Sequence, residues 1–243
     1  MRVLVIGESC KDVFNYGACH RMCPEAPVPV FNSIRLIENG GMAMNVYNNL
    51  LSMGNLVDIK TNTNWDSITK TRFVDVRTNH MFMRLDNNDK QYGVCDIETI
   101  NLESYDAVIA SDYNKGYLTE KTLEVISNKS KLSFLDSKKI LGPWAENFSF
   151  IKINNFEYEK TKHTITDKLS DKLIVTRGPA GCTYQGKLYA VDPVDVKDTS
   201  GAGDTFIAAV CSEYSKNQDI EKSLIYANHC STKVVQKKGI AIA

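Results

Sequence analysis

The segment DTSGAGD, residues 198–204, runs directly into the apolar stretch TFIAAVC, residues 205–211. From Phe206 onward, apolar side chains recur at positions i, i+1, i+4, i+5 and i+8, which predicts a helix from Ala202 to Ser215. Two glycines around Ala202 leave backbone N–H groups unscreened at the helix start, where the helix dipole adds positive potential. This arrangement favours the binding of a phosphoryl group.

Asp204 lies in the first turn of this predicted helix, beside the expected anion site. Bound phosphate repels a carboxylate, unless the carboxylate accepts the proton of an attacking hydroxyl during phosphoryl transfer. The structural alternative is a glycine-rich turn in which Asp204 is an ordinary charge at a helix start. A P-loop is excluded because no Gly-Lys-Ser/Thr follows, and a dinucleotide fingerprint because only Gly7-Glu8-Ser9 follows the first strand.

Elsewhere, short apolar runs that end in polar or glycine-containing turns alternate with helical segments, which predicts an α/β fold with a mostly parallel sheet. The predicted strands are Val3–Ile6, Ala107–Ala110, Ser133–Leu135, Phe150–Ile153 and Leu173–Val175. Further helices are predicted over Ala43–Met53, Glu120–Asn128 and Ile220–Gln236. Ligands of such sheets collect where the strands end, so we expect Asp112, Asp136, Asn154 and Arg177 to lie near one crevice.

Two segments do not fit this pattern, because they alternate like exposed antiparallel strands. They are residues 28–37 (VPVFNSIRLI) and residues 71–85 (TRFVDVRTNHMFMRL), the second with a hairpin around Thr78-Asn79. We therefore predict a single domain over residues 1–243, with a small β lid that also serves as a homodimer face.

Composition excludes several classes of protein. The 29 Lys+Arg balance the 29 Asp+Glu, which argues against a protein that coats DNA or anionic membranes. Every apolar run is too short to span a bilayer. The first apolar run, which ends at Gly7, is also too short to be the core of a signal peptide. The seven cysteines are odd in number and scattered, so we expect reduced, inert thiols in a cytoplasmic protein.

Beyond these patterns, DTSGAGDTF resembles the C-terminal signature of the ribokinase (PfkB-type) carbohydrate kinase family. Residues 3–31 (VLVIGESCKDVFNYGACHRMCPEAPVPVF) and 38–54 (ENGGMAMNVYNNLLSMG) resemble the heptose 7-phosphate kinase branch of that family. SDYNKGYLT, FLDSKK, KINNFEYE and IVTRGPAG are similar to further elements of the branch. The resemblance covers the whole chain and implies a ribokinase-like fold with ATP and Mg²⁺ as cofactors.

The resemblance also implies roles for residues on the nucleotide side. Asp204 matches the catalytic base, while Gly201, Ala202 and Gly203 match the residues whose N–H groups stabilise the transferring phosphoryl oxygens. Asn154 and Glu157 match residues that organise Mg²⁺ and its waters, with a helix cap as the alternative. Thr176, Arg177 and Gly178 match the nucleotide phosphate site, and Asn228 the adenosine site, with helix packing as its alternative.

On the sugar side, the resemblance assigns sugar binding to Asp12, Gly40, Gly41 and Asn45, although an Asp after a strand is often a turn residue. A phosphorylated sugar requires cations, and the candidates are Lys70, Arg72, Arg84 and Lys115, each alternatively a solvated surface charge. Asp198 and Ser200 match positions where some members of the family hold a monovalent cation.

The chain departs from the pattern of the family in being short at two places, Lys60–Ile68 and Tyr158–Asp171. Glu8 also replaces the usual Asp, and Met42 and Met44 replace alanines. The sequence thus predicts a kinase that transfers the γ-phosphoryl group of ATP to a sugar hydroxyl, with the anomeric hydroxyl of a heptose 7-phosphate as the first candidate. The two shortened segments leave open a non-catalytic or altered-specificity descendant that binds sugar phosphate or nucleotide. A nicotinamide-dependent oxidoreductase is a weaker third hypothesis.

Overall fold

A computed structural model describes residues 1–237, 239, 241 and 242. Its strands are β1 (Arg2–Gly7), β2 (Lys11–Met22), β3 (Pro29–Asn39), β4 (Leu56–Lys60), β5 (Thr69–Asp75), β6 (Met81–Asn87), β7 (Ala107–Asp112), β8 (Ser133–Ser137), β9 (Phe150–Asn154), β10 (Leu173–Thr176), β11 (Cys182–Tyr184) and β12 (Lys187–Tyr189). Its helices are α1 (Gly41–Ser52), α2 (Glu120–Lys129), α3 (Asn155–Thr161), α4 (Asp167–Ser170), α5 (Ala202–Asn217) and α6 (Ile220–Val235).

The main sheet has eight strands in the order β12-β11-β10-β9-β8-β7-β1-β4. The strands from β10 to β4 are parallel, whereas β11 and β12 pair antiparallel at one edge. Each predicted strand is present and extends beyond its predicted carboxyl end, so that Asp112 closes β7 and Asn154 closes β9. The predicted α/β class with a mostly parallel sheet is confirmed.

Alternating side chains of the strands feed two separate cores, one on each face of the main sheet. Val3 and Val5 of β1 pack with α1, α5 and α6, whereas Leu4 and Ile6 pack on the side of α2 and α4. All four are buried. Helices on both faces leave the carboxyl ends of the parallel strands as the place where a crevice forms.

A second sheet of four strands, called the lid sheet below, has the order β3-β2-β5-β6. The two segments predicted as antiparallel strands lie here as β3 and as the β5–β6 hairpin, with Asn79 at a φ of 61° in the turn. The central strand β2 is absent from the sequence prediction. Its first half is buried on both faces, so the alternation that reveals an exposed strand is missing there.

The lid sheet is joined to the main sheet through short connections. Only Glu8, Ser9 and Cys10 separate β1 from β2, and residues 61–68 lead from β4 to β5. At this edge of the main sheet, β4 is the terminal strand. Within the part of the chain that the structure describes, every helix is too short or too polar to cross a bilayer.

Candidate active site

A cavity of about 370 Å³ lies between the lid sheet, the start of α5 and the loops after β7 and β8. Ser200, Gly201 and Asp204 line it from α5 and the residues before it. Asp12, Lys70, Arg72 and Arg84 line it from the lid sheet, and Tyr113, Lys115 and Lys138 line it from the loops. A volume of this size suits a small ligand. The cavity therefore joins the expected phosphoryl site to the expected sugar-side cations.

The start of α5 has the backbone that an anion site needs. Gly201 precedes the helix with a φ of 78°, a left-handed conformation that glycine adopts without strain. Gly203 is packed closely, because a Cβ there would lie 2.7 Å from Nζ of Lys152. The first turn of a helix leaves N–H groups without intrahelical partners, although that of Ala202 donates to the carbonyl of Thr199 over 3.3 Å.

Asp204 is buried at this helix start and held at both carboxylate oxygens. The hydroxyl of Tyr113 donates to Oδ1 over 2.7 Å, and Nδ2 of Asn45 donates to Oδ2 over 3.0 Å. Burial raises the pKa of Asp204 to about 6, with a further rise from Asp136, while Tyr113 and Asn45 act in the opposite direction. A carboxylate whose pKa lies near neutrality is suited to general base catalysis. Asn45, predicted to bind the sugar, thus contacts Asp204 directly.

A buried ion pair lies behind the anion site. Nζ of Lys152 in β9 is 2.8 Å from Oδ2 of Asp136 in β8, and both side chains are almost fully buried. Burial lowers the pKa of Lys152, but Asp136 outweighs this and raises it, so the ammonium stays charged next to Gly203. Lys152 is absent from the site residues predicted from the sequence. A lysine inside the apolar strand FIKIN was the available signal, because lysine is rarely buried without a partner.

Each sugar-side cation of the lid region is paired with an acid. Arg72 bonds Asp12, and its guanidinium lies 4.8 Å from the centroid of the Phe14 ring. Arg84 makes two bonds to Asp86, of 2.7 and 2.6 Å. Lys70 and Lys115 both bond Asp89. Burial would raise the pKa of Asp89, yet hydrogen bonds from Lys115, Lys70 and Tyr92 together hold it at about 2.

Glu8 organises the loop that carries Tyr113 and Lys115. Its two carboxylate oxygens accept the backbone N–H groups of Tyr113 and Lys115 over 2.9 and 3.1 Å. The carboxylate of Asp112 accepts the N–H of Asn114 in the same loop. Glu8 was noted only as a replacement for the usual Asp, and its longer side chain reaches these amides. Fully buried, it fixes the loop against the end of β1.

Asn154 and Glu157, the predicted Mg²⁺ residues, form a capping box at the start of α3. Oδ1 of Asn154 accepts the N–H of Glu157 over 2.9 Å, and Oε2 of Glu157 accepts the N–H of Asn154 over 2.7 Å. Burial raises the pKa of Glu157. Within the described ranges, no group of three or more His, Cys, Asp or Glu could hold a metal alone. A magnesium ion here would therefore need phosphate oxygens and water among its ligands.

The remaining nucleotide-side residues lie at the ends of β10 and in α6. Thr176 pairs with Asn154 across β10 and β9. Next to it, Arg177 donates to Asn155 over 2.7 Å, and Gly178 has a φ of 56°. Asn228 is buried and donates to the carbonyl of Tyr189 over 2.8 Å, which is a packing contact between α6 and β12. The role of Asn228 at an adenosine remains a prediction. The roles of Thr176, Arg177 and Gly178 at the nucleotide phosphates remain predictions as well.

Gly40 and Gly41 lie at the start of α1, below Asp12. A Cβ on Gly41 would come within 3.3 Å of both the Asp12 Cβ and the Cys10 Sγ, and Gly41 has a φ of 51°. Met42, which lines the cavity, is strained at a φ of 46°. Asp198 accepts backbone N–H groups from Ser200 and Gly239. Sugar contact at Gly40 and Gly41 and a monovalent cation at Asp198 remain predictions.

The chain is similar in sequence to known proteins of two descriptions. Residues 144–243 match the model of the pfkB family carbohydrate kinases. The bifunctional protein HldE of Helicobacter acinonychis (strain Sheeba) is 28% identical over 297 residues, covering 100% of this chain and 64% of that protein. The alignment is longer than the 243-residue chain, so this relative has segments that the chain lacks.

Solved structures show the same fold at low sequence identity. The nucleoside kinase of Methanocaldococcus jannaschii, an archaeal member of the ribokinase family, has a TM-score of 0.70 at 17% identity, covering 98% of this chain and 92% of its own. The ribokinase of Arabidopsis thaliana, solved with ribose and ATP, has a TM-score of 0.67 at 13% identity, with 98% and 93% covered.

These likenesses show that the chain has a ribokinase-like α/β fold. In sequence, the chain is similar to the pfkB family carbohydrate kinases over residues 144–243 and to the HldE proteins over its whole length.

Proposed function

We propose that this kinase transfers the γ-phosphoryl group of ATP to the anomeric hydroxyl of a heptose 7-phosphate. One observation carries the proposal: a single cavity joins Asp204 and the glycine-rich start of α5 to four cationic side chains, Lys70, Arg72, Arg84 and Lys115. The first group suits phosphoryl transfer, and the second suits the phosphate that the acceptor sugar already carries.

In this mechanism Asp204 accepts the proton of the attacking hydroxyl. The hydroxyl oxygen forms its bond to the γ-phosphorus, while the bond from that phosphorus to the bridging oxygen breaks and ADP leaves. Backbone N–H groups of the Gly201–Gly203 turn stabilise the negative charge on the transferring oxygens. Lys152, charged and adjacent to Gly203, adds positive potential behind them.

Asn154 and Glu157 would help to hold Mg²⁺ through water, since their capping box leaves further oxygen lone pairs for this purpose. The ion supplies charge neutralisation of the nucleotide phosphates when bound. Thr176, Arg177 and Gly178 would lie beside those phosphates, because β10 ends next to Asn154. ATP as the donor is supported by the relation to PfkB-type kinases.

Because acids already pair with the cationic side chains, an incoming sugar phosphate must displace one of these acids. Arg84 is the most accessible of the four cations, with 41% of its side chain exposed, and its partner Asp86 is also partly exposed. Arg72 lies directly opposite Arg84 across the β5–β6 ladder. The sugar phosphate would then be held between these two arginines, with Asp12 left to orient sugar hydroxyls.

The test is single-turnover phosphoryl transfer from ATP to D-glycero-β-D-manno-heptose 7-phosphate and to the unphosphorylated heptose. The wild-type chain should transfer to the phosphorylated sugar, and Asp204→Asn should lower the rate about 10²–10⁴-fold. Asp58→Asn is the matched control, because Asp58 lies in β4 outside this cavity. A rate for Asp204→Asn within tenfold of wild type contradicts the base role. Calorimetric binding of a non-hydrolysable ATP analogue without turnover on any sugar phosphate would support the non-catalytic alternative.

We also propose a homodimer through the outer face of the lid sheet. One row of side chains crosses all four strands of the lid sheet and consists of Leu36, Asn15, Phe73 and Met83. It lies on the opposite face of the sheet from the row with Arg72 and Arg84. Leu36 is 58% exposed and Met83 is 55% exposed. Apart from Asn15 the row is apolar, and exposed apolar side chains grouped on one face mark interaction surfaces.

A cytoplasmic location is supported by the seven cysteines, which are all free thiols.

A further inference from the structure

Tyr113 contacts the predicted base and has no role in the function proposed above. It stands in the loop after β7, and its hydroxyl donates to Oδ1 of Asp204 over 2.7 Å. The loop is fixed by Glu8 through the backbone N–H of Tyr113 itself. On its other side, Nζ of Lys138 lies 3.7 Å from the centroid of the Tyr113 ring. Backbone, ring and hydroxyl are therefore all held in place.

We propose that Tyr113 is a positioning residue for phosphoryl transfer, which orients the Asp204 carboxylate and keeps it ionised by donating a hydrogen bond to it. The proposal rests on the proposed function, in which Asp204 is the base. A hydroxyl that donates to a carboxylate stabilises its charged form. Each carboxylate oxygen has two lone pairs, so Oδ1 and Oδ2 keep one each for the proton of the sugar hydroxyl while Tyr113 and Asn45 occupy the others.

The surroundings of Asp204 explain why such a donor is needed. Burial and the neighbouring Asp136 both favour the protonated carboxyl, which cannot act as a base. The hydrogen bonds from Tyr113 and Asn45 and the charge of Lys152 favour the ionised carboxylate instead. The charge of Lys138 also acts on Asp204. Burial and the Asp204 carboxylate raise the pKa of Tyr113 well above its ordinary value, so its hydroxyl remains a donor at any working pH.

The test is the titration of Asp204 in Tyr113→Phe, which removes only the hydroxyl. Carbon-13 NMR of the aspartate carboxyls in the ligand-free chain, assigned with Asp204→Asn, should show the Asp204 titration shifted upward by about one pH unit. The acidic limb of kcat/KM for heptose 7-phosphate should shift by the same amount. The rate should therefore fall about tenfold at pH 5.5 and by a smaller factor at pH 8.5. A merely structural role would lower the rate equally at both pH values.

Tyr105→Phe is the matched control, since Tyr105 also bonds an aspartate, Asp58, but precedes β7 outside the cavity. It should leave both the Asp204 titration and the acidic limb unchanged. Replacing Tyr113 with 3-fluorotyrosine provides a second variant that keeps the hydroxyl and strengthens it as a donor. The Asp204 titration should then shift downward.

An unmoved Asp204 titration in both Tyr113 variants, when circular dichroism shows them folded, overturns the proposal. If Asp204→Asn itself retains phosphoryl transfer, the proposed base role fails instead, whatever the Tyr113 variants show. The two failures are therefore distinguishable.

Discussion

At the scale of single residues, the burial of Asp204, the proposed base, bears on the stability of the fold. The ordinary pKa of an aspartate is 3.8. In the folded chain the pKa of Asp204 is raised to about 6, and burial is the largest cause. An acid whose folded-state pKa is raised contributes full stability below its unfolded pKa, and that contribution is lost as the pH rises through the folded pKa. Ionised Asp204 therefore costs about 3 kcal/mol of folding free energy above pH 6.

Asp204→Asn should consequently become more stable relative to wild type as the pH rises. We expect the difference in the free energy of unfolding to grow by up to about 3 kcal/mol between pH 4 and pH 7. Urea denaturation at each pH measures it. Asp58→Asn provides a control of opposite sign, because the hydrogen bond from Arg2 lowers the pKa of Asp58. A difference that is independent of pH would contradict the raised pKa of Asp204.

The limits of sequence-based prediction are clear at the same scale. The segment DTSGAGD predicted the helix start and the anion site, because both depend on residues that are adjacent in the sequence. By contrast, the Tyr113–Asp204 bond joins residues 91 positions apart, and Lys152 reaches Asp136 on the neighbouring strand. Such pairings depend on which strands become neighbours in the sheet. A single sequence shows residue types and spacing, and these give no measure of such long-range contacts.

At the scale of elements, β1 and β7 approach each other more closely than a side chain allows. Gly7 pairs with Ser111, and a Cβ on Gly7 would lie 2.1 Å from the Ser111 carbonyl oxygen. Gly7→Ala must therefore displace the end of β1, and with it Glu8 and the Tyr113 loop. We expect a loss of about 3 kcal/mol in unfolding free energy, together with reduced transfer.

Thermal unfolding of Gly7→Ala checks this expectation. Gly142→Ala is the control, since a Cβ there would meet only the Trp144 side chain at 3.3 Å and should cost less. Equal melting temperatures for the two variants would show that the end of β1 relaxes without cost.

The missed strand β2 belongs to this scale too. Residues 12–14 and 16–18 are buried, so polar and apolar residues do not alternate along β2 as they do along a half-exposed strand. β3 and β6 are exposed along most of their length, and the alternation of residue types in β3 and in the β5–β6 hairpin made these strands predictable. A strand buried on both faces resembles any short apolar run, and its place in a sheet is set by its neighbours.

At the scale of the whole molecule, the outer face of the lid sheet should decide the oligomeric state. Leu36→Glu and Met83→Glu place charges at the two ends of the row that crosses this face, and a dimer formed there should dissociate to monomers. Sedimentation velocity measures the mass. Ile225→Glu is the matched control, because Ile225 is equally exposed, at 60%, but lies on α6. Wild-type and variant chains of the same mass would contradict the proposed dimer face.

The open edge of β4 also bears on how the molecule behaves when it is concentrated. A terminal strand presents unpaired N–H and C=O groups to any other chain that arrives in extended form, and Leu56 beside them is 69% exposed. Charged side chains along this edge disfavour pairing with another chain. Asp58, which is paired with Arg2, and Lys60 place opposite charges two residues apart. Salt screens these charges and therefore weakens their effect against pairing with another chain. The open edge of β4 therefore makes the colloidal stability of this protein depend on ionic strength.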